Sequence, residues 1–367
     1  MNTDWILFGS ALLISAAGLV TMNSFVGEST FASRQIVWII LAVVVFFALS
    51  AVDFHFLRRT GVIVSLFVAS CIILLLLFVL GSIVKGSQSW FSFGLFSFQP
   101  SDPVKLVLIL LLAKYFTKRH IEIAHIRHIL VSGFYASILF LLVLLQPDFG
   151  SAIIIFLIWF GMVMISGISK KHLLAVFLVG GVAFFMLWFF VFQDYQKQRI
   201  FTFINPLADV RGAGYNAYQS TIAVGSGQLL GKGVGYGTQS KLLFLPEYQT
   251  DFIFAAFAEE WGFVGSLILL CIMGVLIWRV IAMSSRGATN FEILFGLGLA
   301  IFFMAQLVIN IGMNIGLLPV TGITVPFMSY GGSHLIVEFA GLGILSGMAR
   351  YSRPVHKGMV QNEIIGV

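Results

Sequence analysis

The chain has 367 residues, of which 59% are hydrophobic and only 10% charged, against roughly a quarter charged in a soluble domain. Apolar runs of about 20 residues recur along it, which predicts an all-α polytopic membrane protein and excludes a soluble enzyme. The formal net charge of +6 does not indicate nucleic acid, because most of the basic residues fall in short loops, where they set orientation.

Ten spans are predicted at about 5–23, 36–52, 61–81, 103–117, 127–145, 149–168, 173–192, 251–280, 292–315 and 331–349. The first, with Asp4 ahead of it and no basic n-region, reads as a retained helix and not as a cleaved signal. "DFHFLRR", "KYFTKRHIEIAHIRH", "SKKH", "RVIAMSSRG" and "RYSRPVHK" carry most of the Lys and Arg, while the alternate short loops hold only Arg34, Lys85 and the membrane-edge Lys105. The positive-inside rule then places both termini in the cytoplasm. Residues 193–250 become a large extracytoplasmic loop between the seventh and eighth helices, within one membrane domain covering 1–367. Cys71 and Cys271 both lie in apolar runs and indicate neither a disulfide framework nor a metal cluster.

Two segments echo each other: "QPSD" at 99–102 and "QPDFG" at 146–150 each put Gln-Pro-acid at an outward-facing helix end. Proline suits a first helical turn, Ser101 is a candidate cap, and an acid there complements the helix dipole. Capping alone accounts for either motif; both acids and both amides converging would not be so plain. In the large loop, "YNAYQSTIAVGSG" predicts a short interfacial helix. "GSGQLLGKGVGYG" lacks the spacing and the Ser/Thr of a nucleotide-binding loop, so its glycines are read as tight backbone turns. The loop's basic residues, Lys197, Arg199, Arg211, Lys232 and Lys241, could together hold an anionic phosphate near a lipid surface.

The most informative stretch is "LPEYQTDFIFAAFAEEWGFVG", 245–265. Pro246 and Thr250 mark a helix start, which places Asp251 in the first turn. Ala255, Ala258 and Gly262 share its face, where small residues admit a neighbour closely. Glu259 and Glu260 lie about 12 Å further along the helix. An unpaired acid in mid-membrane costs about 3 kcal/mol, so these two demand a cavity, a cation or a proton, as does Glu338 with His334 one turn before it. The residues alone leave two readings open: an enzyme on a lipid-borne substrate with Asp251 as base, and a transporter working through intramembrane acids.

"FQPSD" (98–102), "LLQPDFGSA" (144–152), "QRIFTFINP" (198–206), "GAGYNAYQSTIAVGSGQLLGKG" (212–233), "FLPEYQTDFIFAAFAEEWGFVG" (244–265) and "NIGMNIGLLPVTGITVPFMSYGGS" (310–333), in that order, resemble the SEDS family of bacterial cell-wall proteins. The short ends look more like its RodA branch than its FtsW branch. The resemblance implies a peptidoglycan glycosyltransferase of the bacterial cytoplasmic membrane. It polymerises lipid II at the outer face during elongation, beside a class B penicillin-binding protein of the elongation machinery. It makes Asp251 the catalytic aspartate, with Arg199 and Lys232 as diphosphate-binding candidates. Asp102, Lys105, Lys114, Asp148, Glu259, Glu260 and Glu338 become cavity or structural residues, and Lys105 is placed to pair with Asp102 across i,i+3. The family pattern has Glu where Asp102 stands, followed by a small or aromatic residue where Pro103 stands. The resemblance leaves room for a divalent cation, magnesium or manganese, which no ligand cluster in the sequence indicates. A lipid II flippase and a non-catalytic activator of the penicillin-binding protein are the competing roles.

Overall fold

A computed structural model describes residues 4–24, 29–84, 87–92, 94, 97–117, 126–190, 192, 194–205, 213–242 and 244–351. Each of the ten apolar segments is a helix. In chain order these are α1 (Trp5–Asn23), α2 (Ser29–Ser50), α3 (Thr60–Leu80), α4 (Ser101–Thr117), α5 (Ile126–Leu144), α6 (Phe149–Ile165) and α7 (Lys170–Phe190). Then come α8 (Asp194–Ile204), α9 (Ala213–Ser226) and α10 (Thr238–Lys241), followed by α11 (Ile253–Ser284), α12 (Asn290–Asn314) and α13 (Gly332–Tyr351). Eight of them are at least 18 residues long and apolar enough to cross a membrane, while α6 is shorter. The 17-residue α4 opens with Asp102 and Lys105. The protein is thus a multi-pass membrane protein.

The helices form because a backbone in hydrocarbon must satisfy its own polar groups. Side-chain hydroxyls follow the same rule: Ser10, Ser15, Thr21, Ser70 and Ser132 donate to carbonyls three or four residues back in their own helices. Their polarity is spent locally, so serines in a span do not by themselves mark a site.

α12 and α13 are the most buried spans, and none of the described side chains in the apolar window of α7 is buried. α13 packs on α2, α1 on α11, and α12 on α4, α6 and α11. Close packing is bought with small residues: a Cβ on Gly343 or Gly347 of α13 would press on the α2 backbone or the residues just after it, and one on Gly298 of α12 would press on Ile109 and Met162. α7 touches the bundle through aromatic edges, such as Phe177 against Phe160 with centroids 5.7 Å apart.

One element differs in kind from the sequence expectation. Between α3 and α4 lies a small antiparallel sheet, β1 (Ser82–Val84), β2 (Ser87–Ser92) and β3 (Ser97–Phe98), in the order β1-β2-β3. Trp90 pairs with Ser82, and Phe91 with Phe98. The alternation of "SQSWFS" is a two-residue period too short to stand out beside helices of 20 residues. Ser82 Oγ donates to Trp90 O at 2.9 Å, and Ser89 Oγ ties the sheet to Gln146 O at 3.3 Å.

Among the described residues, the segment between α7 and α11 carries three short helices. α9 lies where the sequence predicts an interfacial helix and packs against α11 and α12; α8 packs on α9. Arg211 and Lys85 lie outside the described residues.

Candidate active site

Asp251 does not stand in the first turn of a helix. α11 starts at Ile253 after the N-cap Phe252, which makes no side-chain capping bond. Asp251 sits instead in a tight turn, in which the N–H groups of Thr250 and Phe252 both donate to Glu247 O, at 3.1 and 3.2 Å. Glu247 takes the left-handed conformation that such a turn needs, with φ 53°. Proline and threonine signal a helix start to the eye; the chain makes one further tight turn before the helix begins.

The turn is held by its carbonyls. Gln249 O accepts from Tyr330 N at 2.8 Å, Thr250 O from Ser329 Oγ at 2.7 Å, and Asp251 O from Asn310 Nδ2 at 2.9 Å and Asn314 Nδ2 at 3.1 Å. The Asp251 residue itself is half-buried. Beside its carboxylate runs the backbone of Gly322, at φ 77°, where a Cβ would come to 3.6 Å from Oδ2. A carboxylate on a braced turn at the end of the bundle can accept a proton from a hydroxyl brought to it.

Glu259 and Glu260 are placed otherwise. α11 is broken at Gly262, with φ 68° and ψ −166°, and the loop after α9 fills the break. Lys232 N and Gly233 N donate to Glu259 O and Glu260 O, both at 3.0 Å, while Phe263 N and Val264 N donate to Gln228 O and Leu229 O at 2.8 and 3.0 Å. A side chain at Gly227, Gly231 or Gly262 would collide with the opposing backbone. The glycines do make tight turns, and what they turn against is this helix.

The Glu259 carboxylate and one oxygen of Glu260 are occupied too. Glu259 Oε1 accepts from Lys232 Nζ at 2.6 Å and from Thr238 N at 2.8 Å, and Glu259 Oε2 accepts from Gln239 N at 3.1 Å, so it caps α10. Glu260 Oε1 accepts from Ser24 Oγ at 2.5 Å and Gly235 N at 2.9 Å. Ser24 ends α1, and Asp4 at its other end pairs with Arg279 of α11. From Glu260 to Arg279 α11 therefore runs the length of α1, roughly 29 Å at 1.5 Å per residue, which is the thickness of a bilayer core. The mid-membrane position expected for these acids is corrected: Glu260 is level with a span's end.

The Gln-Pro-acid motifs meet in part. Asp148 caps α6, accepting from Ser151 N at 3.0 Å, and its other oxygen accepts from Gln99 Nε2 at 2.8 Å and Ser101 Oγ at 3.4 Å. Ser101 thus turns to α6 and does not cap α4. Asp102 faces away, accepting from Lys105 Nζ at 3.0 Å, as expected across i,i+3, and from Ser333 Oγ at 2.9 Å. Gln146 turns to α3, donating to Leu74 O at 2.8 Å.

Glu338, fully buried on α13, accepts from Phe327 N at 2.7 Å and so holds the 321–331 segment that passes Asp251. Lys114 lies at the opposite end of the bundle, donating to Arg58 O. Arg199 is on α8, which packs on α9. Lys232, named as a diphosphate candidate, pairs with Glu259, since the loop carries it into the helix break.

Sequence reasoning missed Asn310, Asn314 and Ser329. Two asparagines four apart in an apolar span were the available signal, because buried amides there need partners. Among the described residues, no group of three or more His, Cys, Asp and Glu side chains could hold a metal ion.

Residues 2–354 match the FtsW/RodA/SpoVE family, described as "Cell cycle protein". The peptidoglycan glycosyltransferase MrdB of Escherichia coli is 42% identical over 294 residues, covering 79% of this chain and 78% of that one. Stage V sporulation protein E of Bacillus subtilis is 34% identical over 350 residues, 94% of each chain. Among solved structures, one described as "Structural coordination of polymerization and crosslinking by a peptidoglycan synthase complex" superposes with TM-score 0.82 at 30% identity, covering 96% of this chain and all of that one. The rod shape determining protein RodA of Thermus thermophilus does so with TM-score 0.73 at 30% identity, covering 96% and 98%.

Proposed function

The chain belongs to the FtsW/RodA/SpoVE family, and from that premise we propose that it is a peptidoglycan glycosyltransferase polymerising lipid II with Asp251 as its general base. The observation that supports the role of Asp251 is the turn: its carbonyls are bonded to buried groups of two other segments, and its carboxylate lies against a glycine backbone that leaves room beside it.

The proposed chemistry is one displacement. The acceptor's GlcNAc 4-hydroxyl attacks the anomeric carbon of the donor, and the bond from that carbon to the diphosphate oxygen breaks. Asp251 takes the hydroxyl proton as the new glycosidic bond forms. Undecaprenyl diphosphate leaves with the electron pair, and cationic charge near its phosphates stabilises the transition state. Arg199 is the candidate for that charge, because Lys232 is engaged by Glu259.

The orientation that suits this chemistry puts the Asp251 end outside the cytoplasmic membrane and both termini inside. The placement of Arg58, Lys114 and Arg279 at the opposite end supports it. The partner, by the same reading, is a class B penicillin-binding protein of the elongation machinery, which cross-links the strands this chain makes.

The test is lipid II polymerisation by the complex with its partner, the transpeptidase blocked, comparing wild type with Asp251→Ala and Arg199→Ala. Loss of polymer with Asp251→Ala and a slower reaction with Arg199→Ala are expected. Polymer made at the wild-type rate by Asp251→Ala would end the base assignment.

A further inference from the structure

We propose that Asn310, Asn314 and Ser329 are positioning residues for Asp251, fixing the peptide planes on both sides of its Cα. This rests on the reading of Asp251 as the base and names what aims it.

A residue has two soft backbone torsions, and they set where its side chain points. The plane before Asp251 ends in Thr250 O, which Ser329 Oγ holds at 2.7 Å. The plane after it carries Asp251 O, held by Asn310 Nδ2 at 2.9 Å and Asn314 Nδ2 at 3.1 Å. With both planes anchored, the direction of the Cα–Cβ bond is set, and the carboxylate with it. All three anchoring side chains are fully buried, so water does not compete for these bonds.

The anchors are themselves oriented. Asn314 Nδ2 shares its two hydrogens among Asn310 O at 2.8 Å, Asn310 Oδ1 at 3.0 Å and Asp251 O, and the contact at Oδ1 orients the Asn310 amide to donate to Asp251 O and to Ile323 O at 2.6 Å. Ser220 Oγ shares its one hydrogen between Asn314 O at 3.0 Å and Asn314 Oδ1 at 3.1 Å, which favours that orientation of the amide. Ser329 Oγ accepts from Val325 N at 2.9 Å, leaving its own hydrogen for Thr250 O. One amide, Asn310, thus binds both the backbone of the base and the residue after Gly322, whose main chain lies against the carboxylate. Buried asparagines in a bundle can also serve only as glue between helices. Glue does not explain why the bonds fall on both planes flanking one acid.

The experiment uses the complex with its partner and measures kcat, KM for lipid II and the thermal transition. The variants are Ser329→Ala, Ser329→Thr, Asn310→Ala and, as control, Asp251→Asn. Misplacing a reacting group by an ångström costs up to about 100-fold. The expected result is kcat lower by about tenfold or more in Ser329→Ala and Asn310→Ala, with KM within about twofold and the transition little moved. Ser329→Thr, which keeps the hydroxyl, should recover most of the rate. Wild-type kcat in a folded Ser329→Ala overturns the proposal, as does a loss that follows thermal destabilisation and is no smaller in Ser329→Thr. If Asn310→Ala does not fold, the two Ser329 variants decide. If Asp251→Asn is itself active, the base reading has failed; if it is dead while Ser329→Ala is normal, only the positioning role has.

Discussion

Two acid-bearing regions lie within ten residues of each other, and they are held in opposite ways. The Asp251 turn is gripped through its carbonyls, while Glu259 and Glu260 are gripped through their carboxylates, by an ammonium, the hydroxyls of Ser24 and Thr238 among others, and several amides. Carboxylates bonded to loop amides and an ammonium tie segments of the fold together. The turn that carries Asp251 is fixed through its backbone, which sets where the half-buried side chain points.

The largest expected effect tests the working half of that contrast. Asp251→Asn keeps size and turn geometry and should lower lipid II polymerisation by about 100-fold or more, the range of a lost general base, with the melting transition unmoved. Activity retained would equate the two regions.

Glu259→Ala should act through stability. It strands Lys232 and the α10 amides, and removing one partner of a buried pair costs about 3 kcal/mol. The measurement is thermal inactivation of the purified protein. Adding Lys232→Met should return part of that loss, because the stranded ammonium goes with it. If Lys232→Met alone cut kcat far beyond its effect on stability, Lys232 would hold substrate as well.

Gly262→Ala should cost about 2 kcal/mol, through the left-handed backbone and the collision with the Gly231 backbone. Arg279→Ala, at the other end of α11, removes the Asp4 pair. It should cost about 2 kcal/mol or less, the range of a hydrogen bond between charged groups, with the specific activity of the surviving protein unchanged.

Much of this fold was legible because a bilayer asks for long apolar runs, and each of the ten proved helical. The start of α2 at Ser29 lies ahead of the expected 36, since Ser, Thr and Arg at its beginning read as loop while still forming a turn of helix. The break at Gly262 was not legible. The window around it is apolar on both sides, and the groups that complete its hydrogen bonds come from some thirty residues upstream. Glu259 and Glu260 looked costly for the same reason, because a burial penalty can be read locally and its relief cannot. Asp251 was singled out by resemblance and not by charge cost. The Asp102–Lys105 pair was legible because its partners are a turn apart. Ser333, which completes it, lies 231 residues away.

The loop threaded through Gly262 also limits how the chain can vary in length. Surface loops ordinarily tolerate insertions and deletions. Between Gly227 and Gly235 the backbone is in register with α11 on both sides of its break, and one residue gained or lost would slide every partner by a step. Natural variants and engineered tags should therefore find room elsewhere. This stretch should keep its count of residues as strictly as a strand inside a sheet.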